Sequence, residues 1–237
     1  MLTLILVESA LELVPENLRK HPSVKRNQSS KRKLGNLILD RSYHHTAMRF
    51  LKNAEKRGRP DIVHFCLLNA LGTPLNKELM LRVYVHTIDD KVISIAPETR
   101  LPRNYERFKG LMEQLYRIRR IPPEGKPLLE MKSESLDSLL QRVDPSVVIA
   151  LSVVGRKSTP EDVIKSLIHF DNPVLIVGGF PRGHFSDSVT KLFDNTFSID
   201  PNGLDAWIVV SRLLYEFEKQ ITLPAKRWSK ASKNNLS

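Results

Sequence analysis

The chain has 237 residues, 41% apolar and 27% charged, enough to bury a full core in one domain and inconsistent with disorder as its main state. Its 37 Lys and Arg against 26 Asp and Glu leave a formal net charge of +11, which draws polyanions such as nucleic acid; a basic surface without that partner is the plain alternative. The single cysteine, Cys66, excludes an intramolecular disulfide and cysteine-rich structural zinc, and no apolar run approaches a membrane span.

In chain order, residues 2–7 are a short apolar run that reads as a buried strand, with no basic stretch before it to make a signal peptide. Residues 9–20 read as helix. Residues 19–33 hold seven Lys or Arg and no acid, interleaved with Ser, Asn and Gln, and read as a basic loop. A second strand is expected at 37–39, and a helix from Ser42 to about position 56. A further helix at 61–71 follows Pro60, which suits a first helical turn, and contains Cys66 as a small core residue. Residues 81–87 and 91–95 flank Asp89-Asp90 as a hairpin. A loop at 97–104 leads into a helix at 105–119, and the Pro/Gly stretch 121–126 is the one candidate domain boundary. Beyond it strands (147–151, 174–177, 196–199) alternate with helices (159–168, 186–192, 203–219), which implies right-handed crossovers and a parallel sheet. The last residues, from Lys226, read as a basic tail that frays.

In an open parallel sheet, ligands bind beyond the carboxyl ends of the strands. Three loops meet that description: Ser152 after the first late strand, Gly178-Gly-Phe-Pro-Arg-Gly183 after the second, and Asp200-Pro-Asn-Gly203 after the third. Each alone reads equally well as a turn; together they can enclose one nucleoside-sized cofactor. The spacing fits neither a dinucleotide fingerprint nor a phosphate loop. Arg100, Arg103 and Arg107 recur at spacings of three and four, placing them on one side of a helix if the stretch is helical, and Arg59 with Asp61 forms a second group at a helix start. A solvated face and a helix-terminal charge are the bland readings. His44 and His45 are adjacent, point about 100° apart on a helix, and make a poor shared metal site; no metal is expected.

The segments RPDIVHFCLLNALGTPLNKE, VYVHTIDDKVISIAPETRLPRNYERFKGLMEQL and VVGGFPRGHF occur in that order. They resemble the small-subunit ribosomal RNA pseudouridine-N1 methyltransferases, the Nep/Emg family of the SPOUT class, over nearly the whole chain from residue 2 to about 219. The resemblance implies an α/β fold: a SPOUT-type parallel sheet with a C-terminal trefoil knot, helices on both faces, a β-hairpin and helical extension roughly at 40–120 within one domain (1–222), and a basic tail (223–237), assembled as a homodimer. It implies S-adenosylmethionine bound at Leu151, Gly178, Gly183, Ile199, Asp200, Pro201, Asn202, Gly203 and Leu204. RNA contacts are implied at Arg59, Asp61, Arg100, Arg103 and Arg107, with Asp61 and Arg59 as catalytic candidates. The implied substrate is a pseudouridine in small-subunit ribosomal RNA, and the implied context is ribosome biogenesis. Uridine has no free N1, because its glycosidic bond uses that nitrogen, and should be inert.

Asp61 either takes up the N1 proton or holds Arg59 and its loop in place. Residues 203–219, apolar over much of their circumference, fit a buried core helix as well as a dimer interface; the resemblance favours the dimer. A ribosome-assembly factor that binds RNA without catalysis is the second functional reading. The chain starts directly at its first strand, which leans towards an archaeal, cytoplasmic protein; a eukaryotic one would be nucleolar.

Overall fold

Every residue of β1 (Leu2–Ser9) is buried, as a strand is when helices cover both of its faces. It lies inside an eight-stranded sheet ordered β4-β5-β3-β2-β1-β7-β6-β8. The other strands are β2 (Leu81–Thr87), β3 (Lys91–Ile95), β4 (Arg120–Ile121), β5 (Leu129–Ser133), β6 (Val147–Lys157), β7 (Pro173–Gly178) and β8 (Asn195–Ser198). The computed structural model describes residues 1–26, 36–49 and 51–234.

The pairings of β1 with β2 and β7, and of β6 with β7 and β8, are parallel; those of β2 with β3, β3 with β5 and β5 with β4 are antiparallel. The sheet is therefore mixed rather than parallel throughout. The expected hairpin is the cause: β3 returns beside β2, with Val83 opposite Ile95 and His86 opposite Val92, and the strands beyond it continue in that sense. Side-chain alternation along β1 splits the core. Leu2, Leu4 and Leu6 face a cluster with α3 (Pro60–Gly72), α5 (Tyr105–Ile118), α7 (Pro160–Leu167) and α9 (Ala206–Gln220). Ile5 and Val7 face α6 (Leu136–Val143) and α8 (Asp187–Thr190). Helices thus cover both faces. Cys66 lies inside the first cluster, and burial pushes its thiol pKa far up, so it is a small core residue.

Several expectations differ from the structure for local reasons. Residues 9–20 are not helical, because Pro15 lacks the N–H a helix needs and disfavours helical backbone before it. The backbone bonds go elsewhere: Val14 N–H donates to Leu37 and Leu39 N–H to Glu12, leaving a single bridge between Leu13 and Ile38 in place of the expected strand. Only Glu16–Leu18 makes a 3-10 turn there. The helix expected from Ser42 is α2 (Arg41–Met48), capped by Asp40, and it ends well before position 56; Asn53 is left-handed at φ 55° before a 3-10 turn at Ala54–Lys56. Residues 122–128 join β4 to β5 within the same sheet; β5 and α6 have no counterpart among the expected elements. The tail from Leu223 is a helix, α10 (Leu223–Asn234), anchored by buried Leu223 and by Arg227 Nε donating to Glu78 at 3.0 Å. Among the described residues, the remaining helices are α1 (Pro22–Arg26) and α4 (Pro74–Lys77). Residues 27–33 of the expected basic loop lie outside the described residues.

A buried ion pair joins α2 to α5. Asp40 accepts from Lys109 Nζ at 2.8 Å and Tyr105 Oη at 2.9 Å, and the two charged side chains are only 3% and 4% exposed. Burial alone would raise the Asp40 pKa, but the Lys109 ammonium and the Tyr105 hydroxyl outweigh it and hold the carboxyl below its ordinary value. A carboxylate with a depressed folded pKa contributes stability above its unfolded value, here about pH 4, and loses it as pH falls through the lower folded value. Lys109→Met should cost about 3–5 kcal/mol near neutral pH, because Asp40 stays buried without its cation. The deficit should shrink below about pH 4, as denaturant unfolding at two pH values would show.

Candidate active site

A cleft of about 260 Å³ opens at the carboxyl edge of β6, β7 and β8. Leu151 and Ser152 of β6, Gly178 at the end of β7 and Ser198 at the end of β8 form its floor. Its walls are the loop from Phe180 to Phe185 and the loop from Ile199 into the first turn of α9. Of the residues expected to hold a cofactor, Leu151, Gly178, Gly183, Ile199, Asp200, Asn202, Gly203 and Leu204 line this one cleft. Pro201 sits in the same loop but is not part of the lining. Gly183 has φ +93°, a backbone region that a side chain makes costly, and this lets the loop turn over the cleft.

Sequence reasoning missed Arg182, His184, Phe180 and Val153, which also line the cleft. The first three stand inside the GGFPRGHF stretch, where the glycines carry the clearer signal. Val153 belongs to an unusual piece of β6. Both Leu151 and Arg156 pair with Phe197 of β8, so 152–155 passes around one residue of its neighbour. The crossing depends on Gly155: a Cβ there would lie 2.5 Å from the Phe197 carbonyl carbon and 2.7 Å from its Cα and N. A strand expected to end at 151 instead runs to Lys157, and Ser158 N–H then donates to the Ser198 carbonyl at 2.8 Å.

Arg59 is the N-cap of α3, and Asp61 lies in its first turn. They form a clasp: Arg59 Nε donates to Asp61 Oδ1 at 2.8 Å and Oδ2 at 3.1 Å, and Nη2 donates to Oδ2 at 2.7 Å. Both side chains are partly exposed, and the hydrogen bonds to Asp61 raise the Arg59 pKa further, keeping it cationic. Asp205, the N-cap of α9 between two cleft-lining residues, adds to that rise electrostatically. The helices α3 and α9 pack together, with Phe65 and Trp207 rings 5.2 Å apart, so both start at the same edge of the sheet.

Arg100, Arg103 and Arg107 are exposed, and none has an ion pair or side-chain hydrogen bond among the described residues. They do not share a helical face: Arg100 and Arg103 precede α5, and only Arg107 is within it. The loop carrying them is pinned beside the clasp. His64 Nε2 donates to the Pro102 carbonyl at 2.7 Å, and its ring stacks on Phe108 of α5 at 4.3 Å. Burial lowers the His64 pKa and so favours the neutral ring, and the carbonyl acceptor assigns its proton to Nε2. His44 takes the Asp40 N–H on Nδ1 at 3.1 Å, a structural role. Among the described residues no three His, Cys, Asp or Glu side chains gather to hold a metal, and no helix is long and apolar enough to cross a membrane.

Comparison with known proteins gives a consistent result. Residues 4–218 match the model of the EMG1/NEP1 methyltransferase family. A protein named ribosomal RNA small subunit methyltransferase Nep1 from Staphylothermus marinus is 46% identical over 215 residues, 90% of this chain and 93% of that one. Its namesake from Thermococcus kodakarensis is 46% identical over 227 residues, 94% of this chain and all of that one. The crystal structure of Archaeoglobus fulgidus Nep1 bound to S-adenosylhomocysteine superposes with a TM-score of 0.81 at 34% identity, covering 92% of this chain and 97% of that one. The chain belongs to the EMG1/NEP1 methyltransferase family and is a methyltransferase.

Proposed function

We propose that the protein transfers a methyl group from S-adenosylmethionine to N1 of a pseudouridine in small-subunit ribosomal RNA. The observation that carries the reading is the convergence of a glycine-rimmed cleft and an Arg–Asp clasp at one sheet edge, beside three arginines that have no side-chain partner among the described residues. The relatives' name, and the S-adenosylhomocysteine held by the Archaeoglobus protein, support both the donor and the RNA.

The cleft fits this cofactor. Leu151, Val177, Phe197, Leu204 and Val209 give apolar walls for a purine and a thioether, while Gly178, Gly183 and Gly203 leave room at the rim for close approach. Asp200 and Ser198 offer polar groups for a ribose or an amine. S-adenosylmethionine supplies an electrophilic methyl on its sulfonium. The chain's own residues hold the acceptor. Arg59, kept charged by Asp61, faces the negative charge that builds on the ring as the N1–H proton leaves. Because Arg59 engages both Asp61 oxygens, holding Arg59 in place is the role that the clasp supports for Asp61. Each Asp61 oxygen keeps acceptor capacity beyond the bonds from Arg59, so the N1 proton can pass to Asp61 or to solvent while the clasp stays closed.

Arg100, Arg103 and Arg107 contact RNA phosphates or stack on bases in this reading. Replacing all three by Ala should weaken hairpin binding and lower the slope of log affinity against log salt by about 0.7–0.9 for each phosphate that is no longer neutralised. Filter binding at several salt concentrations measures it.

The path of 152–155 around Phe197 supports a C-terminal trefoil knot. The exposed stripe of Ile208 and Tyr215 on α9, with Val153 and Val154 beside the cleft, supports a homodimer. We read 1–222 as one domain, carried by its single sheet, with α10 appended, and we place the protein in the cytoplasm. Digestion of unmodified small-subunit RNA to nucleosides after reaction tests the function. N1-methylpseudouridine is the expected product; bound RNA with no methylated nucleoside would contradict the proposal.

A further inference from the structure

Lys56 stands between the two halves of the site and belongs to neither. It ends the 3-10 turn after α2, and its side chain is buried. Its Nζ donates to Glu8 Oε2 at 2.7 Å and lies 4.5 Å from the centre of the Phe180 ring. Its aliphatic stem runs under Gly183, where a Cβ would meet Lys56 Cγ at 3.5 Å. Phe180 and Gly183 both line the cleft. Glu8, at the end of β1, also accepts from the Ser186 N–H at 3.2 Å and so ties down the far end of the same loop.

On its other side, Lys56 leads directly into the clasp. Arg57 Nε donates to buried Glu12 at 2.8 Å, the Gly58 carbonyl accepts from Arg41 N–H at 2.8 Å, and Arg59 grips Asp61. Residues 56–61 thus form a short, multiply tethered segment with the cleft wall at one end and the clasp at the other. Lys and Glu are rarely buried without a reason, and the polar bonds of this pair run to the cleft wall rather than to the clasp.

We propose that Lys56 is a positioning residue that couples the cleft to the Arg59–Asp61 clasp, so that filling the cleft raises affinity for RNA. The inference rests on the reading of the cleft as cofactor site and of the clasp as RNA site. A ligand against Phe180 and Gly183 fixes the wall that Lys56 touches, restricts the 56–61 segment and sets the clasp before RNA arrives. Linkage requires the effect to be reciprocal: RNA tightens the cofactor by the same factor.

The test measures the affinity of a pseudouridine-containing RNA hairpin with and without saturating S-adenosylhomocysteine, and the converse. The wild-type protein should show coupling of about fivefold or more in both directions. The variant Glu8→Gln/Lys56→Met keeps an acceptor for the Ser186 amide and leaves no buried charge unpaired, so it should fold; its coupling should fall to near unity, and Lys56→Arg should retain most of it. A merely structural Lys56 would weaken both affinities without changing their ratio. Wild-type protein without coupling, or a double variant that keeps it, overturns the inference alone. Failure of wild-type protein to bind the hairpin or S-adenosylhomocysteine at all overturns the reading of the site, and the inference with it.

Discussion

Arg59→Ala is expected to lower kcat/KM for methylation of a pseudouridine hairpin by about 100-fold, roughly 3 kcal/mol of transition-state stabilisation. Affinity for S-adenosylhomocysteine measured without RNA should stay within about twofold, because Arg59 is not among the residues lining the cleft. The size follows from the geometry. Arg59 is partly exposed, stays cationic through Asp61, and begins a helix at the edge where the cleft opens. In the proposed mechanism its loss removes the charge that faces the reacting ring and frees Asp61 to repel it. Asp61→Ala should act through the same unit, so the double variant should be little worse than either single one. Asp61→Asn separates the two roles: it keeps one acceptor for Arg59, and a residual rate in single turnover well above that of Asp61→Ala fits the clasp. An Asn variant as slow as the Ala variant would point to Asp61 as the base.

Gly155→Ala should be strongly destabilising. The atoms it would meet are the Phe197 backbone at 2.5–2.7 Å, not the end of a flexible side chain. Either β8 or the 152–155 crossing must move, at a cost of about 3 kcal/mol or more, equivalent to a Tm drop of roughly 6–12 °C for a chain of this size. Because Ser152, Val153 and Phe197 all line the cleft, S-adenosylhomocysteine binding should fall with stability. Calorimetry reads both. A variant with unchanged Tm and full cofactor affinity would mean that the crossing is not what shapes the cleft.

The site is more legible in the sequence than the fold around it. Glycine after an apolar strand marks loops at 178–183 and 200–203 in the pattern of residues, each of which alone reads equally well as a turn, and the family resemblance widens the second to 199–204. Their convergence follows from the rule that parallel strands share one carboxyl edge. Arg182 and His184 stay hidden because a side chain pointing into a cleft and one pointing into water look the same in one dimension. The prolongation of β6 to Lys157 is hidden for a different reason: 152–157 owes its strand character to pairing with β8, some 40 residues away in the chain, not to its own pattern. The helix expected at 9–20 fails because apolar spacing there competes with Pro15, and a single proline excludes that helix at about 3 kcal/mol. The arginines show the converse. Their clustering is legible from charge, but their spacing suggests one helical face, and it is the bond from His64 to Pro102 that fixes their loop instead.

Methyl transfer from labelled S-adenosylmethionine to two RNA hairpins identical except for one loop base decides the reaction. One carries pseudouridine and the other uridine. Label is expected in the pseudouridine hairpin only, since uridine offers no free N1, and that label should be lost in Arg59→Ala. Equal labelling of both hairpins would contradict the N1 assignment. Labelling of neither, with hairpin and S-adenosylhomocysteine both bound tightly, would contradict the enzymatic reading of this site and favour an RNA-binding assembly role.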